Sequence, residues 1–88
     1  MKKINSQSET DEYIGCRMRE SRQLLHMTQH QLAAILGVSF QQIQHYENGV
    51  NGISAVRLFT VCEIFNVPLQ SFFPPLQISG HARCVLEN

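Results

Sequence analysis

The stretch Thr28–Gly49, T-Q-H-Q-L-A-A-I-L-G-V-S-F-Q-Q-I-Q-H-Y-E-N-G, constrains this chain more than any other. It reads as two short helices joined by a tight turn. Leu32, Ala33, Ile35 and Leu36 give the first helix an apolar face at helical spacing, and Ile43 with Tyr46 does the same for the second. Each helix opens on a start signal. Thr28 stands three residues before Gln31, and Ser39 three before Gln42, which is the spacing of a capping box. Between them Gly37 can take φ > 0 and end the first helix without a Cβ penalty. Val38 fills the corner. Ala33, one turn before the glycine, is small enough for the second helix to pass close by.

A small residue, a glycine four positions later, and apolar residues at Val38, Ile43 and Tyr46 together make the helix-turn-helix pattern of DNA-binding proteins. The fuller string T-Q-x-x-L-A-x-x-L-G-V-S-x-x-x-I-x-x-Y-E-N-G resembles the Cro/phage-repressor-type helix-turn-helix family of bacterial and phage regulators. The resemblance runs from about Ile14 to Phe73. It implies an all-α, five-helix, lambda-repressor-like DNA-binding domain. Three positions depart from the family pattern: His26 replaces a glycine or small polar residue, Ile53 a proline, and Cys62 an alanine.

A chain of 88 residues with 43% apolar content makes one globular domain with a single modest core. No apolar run approaches the ~20 residues of a membrane span. Met1–Asp11 is polar, with Lys2 and Lys3 but no apolar segment behind them, so it does not read as a signal peptide and a cytoplasmic, nucleoid-associated location is expected. Cys16, Cys62 and Cys84 are far apart and lack a C-x-x-C spacing. Cys16 and Cys62 fall in helical segments and read as buried small hydrophobes. Cys84 is the candidate for oxidation.

Along the chain, residues 1–9 read as a flexible arm, 10–73 as the helix-turn-helix domain and 74–88 as a tail. Ser8 or Thr10 is the expected cap of a first helix running to about His26, with Ile14, Met18, Leu24 and Leu25 as its apolar stripe. The second and third helices span about Gln29–Leu36 and Phe40–Asn48, the latter closed by Gly49. Ser54 caps a fourth, which carries Val56, Leu58, Phe59, Val61, Cys62, Ile64 and Phe65 and should be buried on more than one side. Asn66, Val67 and Pro68 stop it, and Leu69–Phe73 forms a last helical turn before Pro74-Pro75.

The second helix of such a motif enters the major groove with its first turns facing the bases. Ile43 and Tyr46 are committed to the core, which leaves Ser39, Phe40, Gln41, Gln44 and His45 as the base-reading set. A glutamine amide can pair with adenine N6 and N7 together, a histidine can donate to guanine, and a phenyl ring can pack on a thymine methyl. Phe40 could instead cover a gap beside the helix before it. Asn48, Asn51 and Arg57 flank this face and are candidates for phosphate contact. Arg19 reads rather as a solvated charge. The resemblance adds two roles: Gln29 as a phosphate-facing residue at a helix N-terminus, and Arg22 with Glu47 as a structural ion pair between the first and third helices.

Formal net charge is zero, and between Thr28 and Val56 the only formal charge is Glu47. Recognition must therefore lean on neutral hydrogen-bonding groups, with a shallow dependence on salt. No paired carboxylates, nucleophile elbow or glycine-rich phosphate loop appears, so neither an enzyme nor a cofactor or metal is expected. His26 and His30 share helical spacing, but the Thr28 cap separates them. Proteins of this type usually act as homodimers on palindromic operators, and Phe72, Phe73, Leu76 and Ile78 are the candidate dimer contact, with Leu69 and Phe72 closing the core. The expected function is a sequence-specific double-stranded DNA-binding transcriptional regulator, most simply a repressor. The rivals are an antitoxin-like regulator whose arm or tail binds a toxin, and a helix-turn-helix used for protein docking.

Overall fold

The computed structural model describes residues 6–75. Expectations resting on Lys2, Lys3, Leu76, Ile78, His81, Arg83 and Cys84, including a partner-binding tail, lie outside them. Four α-helices, α1 (Gln7–Leu24), α2 (Gln29–Leu36), α3 (Phe40–Glu47) and α4 (Ala55–Phe65), are followed by a 3-10 turn at Leu69–Phe72. No strand occurs among the described residues.

The start of α1 differs from expectation. Its cap is Ser6, not Ser8 or Thr10: the Ser6 hydroxyl accepts from the Glu9 N–H at 3.1 Å while the Glu9 carboxylate accepts from the Ser6 N–H at 2.9 Å. The S-x-x-E box thus draws residues 7–9, read above as part of the arm, into the helix. The far end also comes sooner. Leu25 is the C-cap, His26 turns to φ 54°, and the Met27 N–H donates back to the Arg22 carbonyl at 3.0 Å. His26 thus occupies the left-handed region that a glycine would enter without strain.

Caps set the other boundaries. Thr28 and Gln31 form a reciprocal box, whereas Ser39 accepts from the Gln42 N–H without the return bond. Gly37 ends α2 at φ 76° and Gly49 follows α3 at φ 73°. Ser54 caps α4, and Asn66 closes it in the left-handed region that a short polar side chain tolerates.

The core is built from Ile14, Met18, Leu32, Ala33, Ile43, Tyr46, Leu58, Val61, Cys62, Phe65 and Phe72. Several apolar residues expected inside are not. Leu24 is 80% exposed, because the buried face of α1 runs Ile14–Met18–Arg22 and a residue two beyond Arg22 lies half a turn away. Leu25 and Ile35 are likewise exposed, Ile35 falling outside the sector spanned by Leu32, Ala33 and Leu36. Helix α4 buries one side only. Val56, opposite the Leu58–Cys62–Phe65 face, is 79% exposed, and Phe59 and Leu69 are also open. Cys16 is exposed, while Cys62 is buried and its thiol is pushed up in pKa by desolvation. Phe72 closes the core against Phe65, and Arg17 ties α1 to this end through the Ser71 carbonyl at 3.2 Å.

Helix α1 crosses α3 at Gly15, a residue the apolar pattern does not reveal. A Cβ there would lie 2.3 Å from the Tyr46 carbonyl oxygen and 2.6 Å from that of Glu47. Both contacts are backbone, so the helices themselves would have to separate. Gly15→Ala is expected to lower stability by about 2–3 kcal/mol through overpacking. His26→Gly should raise it by about 1 kcal/mol by removing the left-handed strain. Urea unfolding of both variants checks the two signs.

Candidate nucleic-acid interface

Helix α3 is held from beneath by one carboxylate. The Glu47 side chain has no exposed surface. Arg22 grips it with two bonds, Nε to Oε2 at 2.7 Å and Nη2 to Oε1 at 3.0 Å, and donates its Nη1 to the Met27 carbonyl at 2.9 Å. Gln29 donates its amide to Oε1 at 2.9 Å. Arg19 brings Nε to 3.5 Å from the same oxygen and donates Nη2 to the Asn48 side-chain oxygen at 2.6 Å. One buried negative charge therefore joins α1, the α1–α2 linker, α2 and α3. Two guanidiniums surround this carboxylate at the far end of α3.

Several candidates thus have structural contacts as well as a place near this face. Gln29 turns an amide N–H inward to Glu47, and Asn48 accepts from Arg19. Arg57 reaches from the start of α4 to the Tyr46 hydroxyl at 2.9 Å. Arg19, read above as a solvated charge, stands in the cluster with its side chain 44% exposed. Its position one turn before Arg22, on the same face of α1, is the signal that could have found it.

On the outer side, Ser39, Gln41 and His45 are exposed, and Phe40 and Gln44 are half-buried. Among the described residues no side-chain hydrogen bond holds Gln41 or Gln44, which leaves both amides open to a ligand. The Ser39 oxygen is engaged by the Gln42 N–H at 3.0 Å, with its hydroxyl hydrogen still available to donate. Phe40 lies flat on His30 of α2, ring centroids 3.9 Å apart and planes 9° from parallel. Asn51, from the loop after α3, places its amide nitrogen 3.3 Å from His45 Nδ1. The contact leaves Nε2 of the imidazole outside it. The face therefore offers two glutamine amides, one imidazole and an aromatic pair. Neither the ring stack nor the Asn51–His45 contact could be read from spacing, since each joins separate elements.

Breaking the Glu47 cluster should unsettle this face. Glu47→Gln leaves Arg22 buried beside a neutral amide and is expected to cost about 3 kcal/mol in urea unfolding. An unchanged midpoint would show that the carboxylate does not hold the helices.

The profile of the helix-turn-helix family matches residues 18–72. An HTH-type transcriptional regulator of Sinorhizobium medicae is 46% identical over 63 residues, covering 72% of this chain and 45% of the relative. A transcriptional regulator in the ATPase CF(0) region of Rhodospirillum rubrum is 46% identical over 67 residues, covering 76% of this chain and 62% of that one. The chain thus spans about half the length of the first of these relatives. In fold it is similar to the restriction-modification controller protein C.AhdI from Aeromonas hydrophila, with a TM-score of 0.66 at 22% identity over 72% of this chain and 96% of that one. Over the matched residues the sequence pattern, the two capped helices and the arrangement of the four helices agree, and the chain belongs to the helix-turn-helix family of the Cro/C1 type.

Proposed function

We propose that this chain is a sequence-specific double-stranded DNA-binding transcriptional regulator, a cytoplasmic repressor that acts as a homodimer on a palindromic operator. The observation that carries the proposal is the outer side of α3. It presents the open amides of Gln41 and Gln44 and the imidazole of His45 on a helix locked in place by the Glu47 cluster. These are major-groove chemistries: amide to adenine N6 and N7, imidazole N–H to the guanine acceptors N7 and O6. The naming of its relatives as transcriptional regulators supports the same reading.

Phosphate contact falls to Gln29, Asn48, Arg57 and Arg19. Of these, Arg19 is the best placed, as the more exposed of the two arginines on Glu47. Asn51, also a phosphate candidate, contacts the His45 ring as well. The chain carries no formal net charge, so affinity comes less from counterion release than in a basic DNA binder. A single motif reads only a few base pairs, and two copies on half-sites about 34 Å apart would double the readout. The uncovered apolar residues Val56 and Phe59 on α4, with Leu69 and Phe73 near by in sequence, supply surface that a second copy could bury.

Selection from a random duplex pool is the test. A two-fold symmetric site should emerge well above non-specific binding, and failure to find one would overturn the proposal. Gln41→Ala should relax selection at one base position, by about 1–3 kcal/mol of discrimination. Asn51→Ala should relax a guanine position by freeing the His45 ring. Arg19→Ala should weaken all sequences alike without altering preference.

A further inference from the structure

Phe40 is the first residue of α3 and half-buried, yet it is not among the apolar residues packed against the core. What holds its ring is His30, a polar residue on the first turn of α2. The two rings are almost coplanar in orientation and separated by no more than a van der Waals stack. One face of the phenyl is therefore covered by the imidazole. The rest of the ring is left at the leading edge of the helix that carries Gln41 and Gln44.

We propose that His30 is a specificity-determining residue that acts through Phe40: the imidazole pins the phenyl ring so that its uncovered surface packs on the methyl group of a thymine in the major groove. The inference rests on the DNA-binding reading above and adds a residue of α2 to the reading surface of α3. The chemistry is apolar. A freely rotating phenyl would spread its contact over several orientations and lose entropy on binding, whereas a stacked ring is already ordered. His30 thus improves discrimination without touching the base. It is a positioning residue.

The thymine methyl can be removed alone by placing deoxyuridine at each thymine of the selected site, one position at a time. The wild-type protein should bind one such duplex about fourfold more weakly than the thymine duplex, the fold-change equivalent of a single buried methyl group. Phe40→Ala should abolish that difference at the same position. His30→Ala should reduce it toward onefold. His30→Phe, which restores an aromatic partner, should recover it. A merely structural stack would alter the melting temperature of His30→Ala and leave the thymine-to-deoxyuridine ratio at fourfold, and that result would overturn the proposal. So would a selected site at which no deoxyuridine substitution matters. If no site is selected at all, it is the DNA-binding reading that fails, and this inference falls with it.

Discussion

A carboxylate with no exposed surface, Glu47, is the interaction on which the rest of the structure depends. Removing it from water is costly, and the cost is offset only because Arg22 meets both oxygens and Gln29 adds a further donor. Because those donors come from α1 and α2, satisfying the charge fixes the orientation of α3 against both. The same helix is clamped at the same end by its backbone, where Gly15 lets α1 approach the Tyr46 and Glu47 carbonyls. Close backbone contact and a buried ion pair thus define one position for the helix, and neither could be met if α3 rotated.

That rigidity suits the chemistry of the outer face. Neutral amides and a ring N–H discriminate only when their donors and acceptors are held in register, since they have no long-range attraction to draw a ligand in. Contacts across elements order part of this face, while the Gln41 and Gln44 amides stay open on the fixed helix. Asn51 reaches back to His45, His30 lies under Phe40, and Arg19 bridges to Asn48. The internal use of charge in the cluster also explains how a chain with no net charge could serve a polyanion: Glu47, the one acidic residue of α3, is turned inward and paired, and Arg19 beside it stays partly open.

Much of the fold was legible because short-range signals determine it. Thr28, Ser39 and Ser54 cap the helices they precede, and Gly37 ends α2. Where reading failed, the deciding partner was distant or a polar residue took an apolar place. Arg22 continues the buried face of α1, and that displaced Leu24 and Leu25 to the surface. Gly15 has no side chain to show in a hydrophobic pattern, yet it sets the closest helix crossing. On the interface, residue types pointed to Gln41, Gln44 and His45. The pairings that order the face joined separate elements, so no spacing rule could have exposed them.

The central claim is that recognition rests on neutral groups carried by a fixed helix, with few cations. The most direct measurement is the affinity for the selected site as a function of salt. With Arg19 and Arg57 the exposed cations near the described face, two copies should give a slope of log affinity against log salt no steeper than about −4. A slope steeper than about −6 would mean that phosphate neutralisation dominates, and would contradict the account.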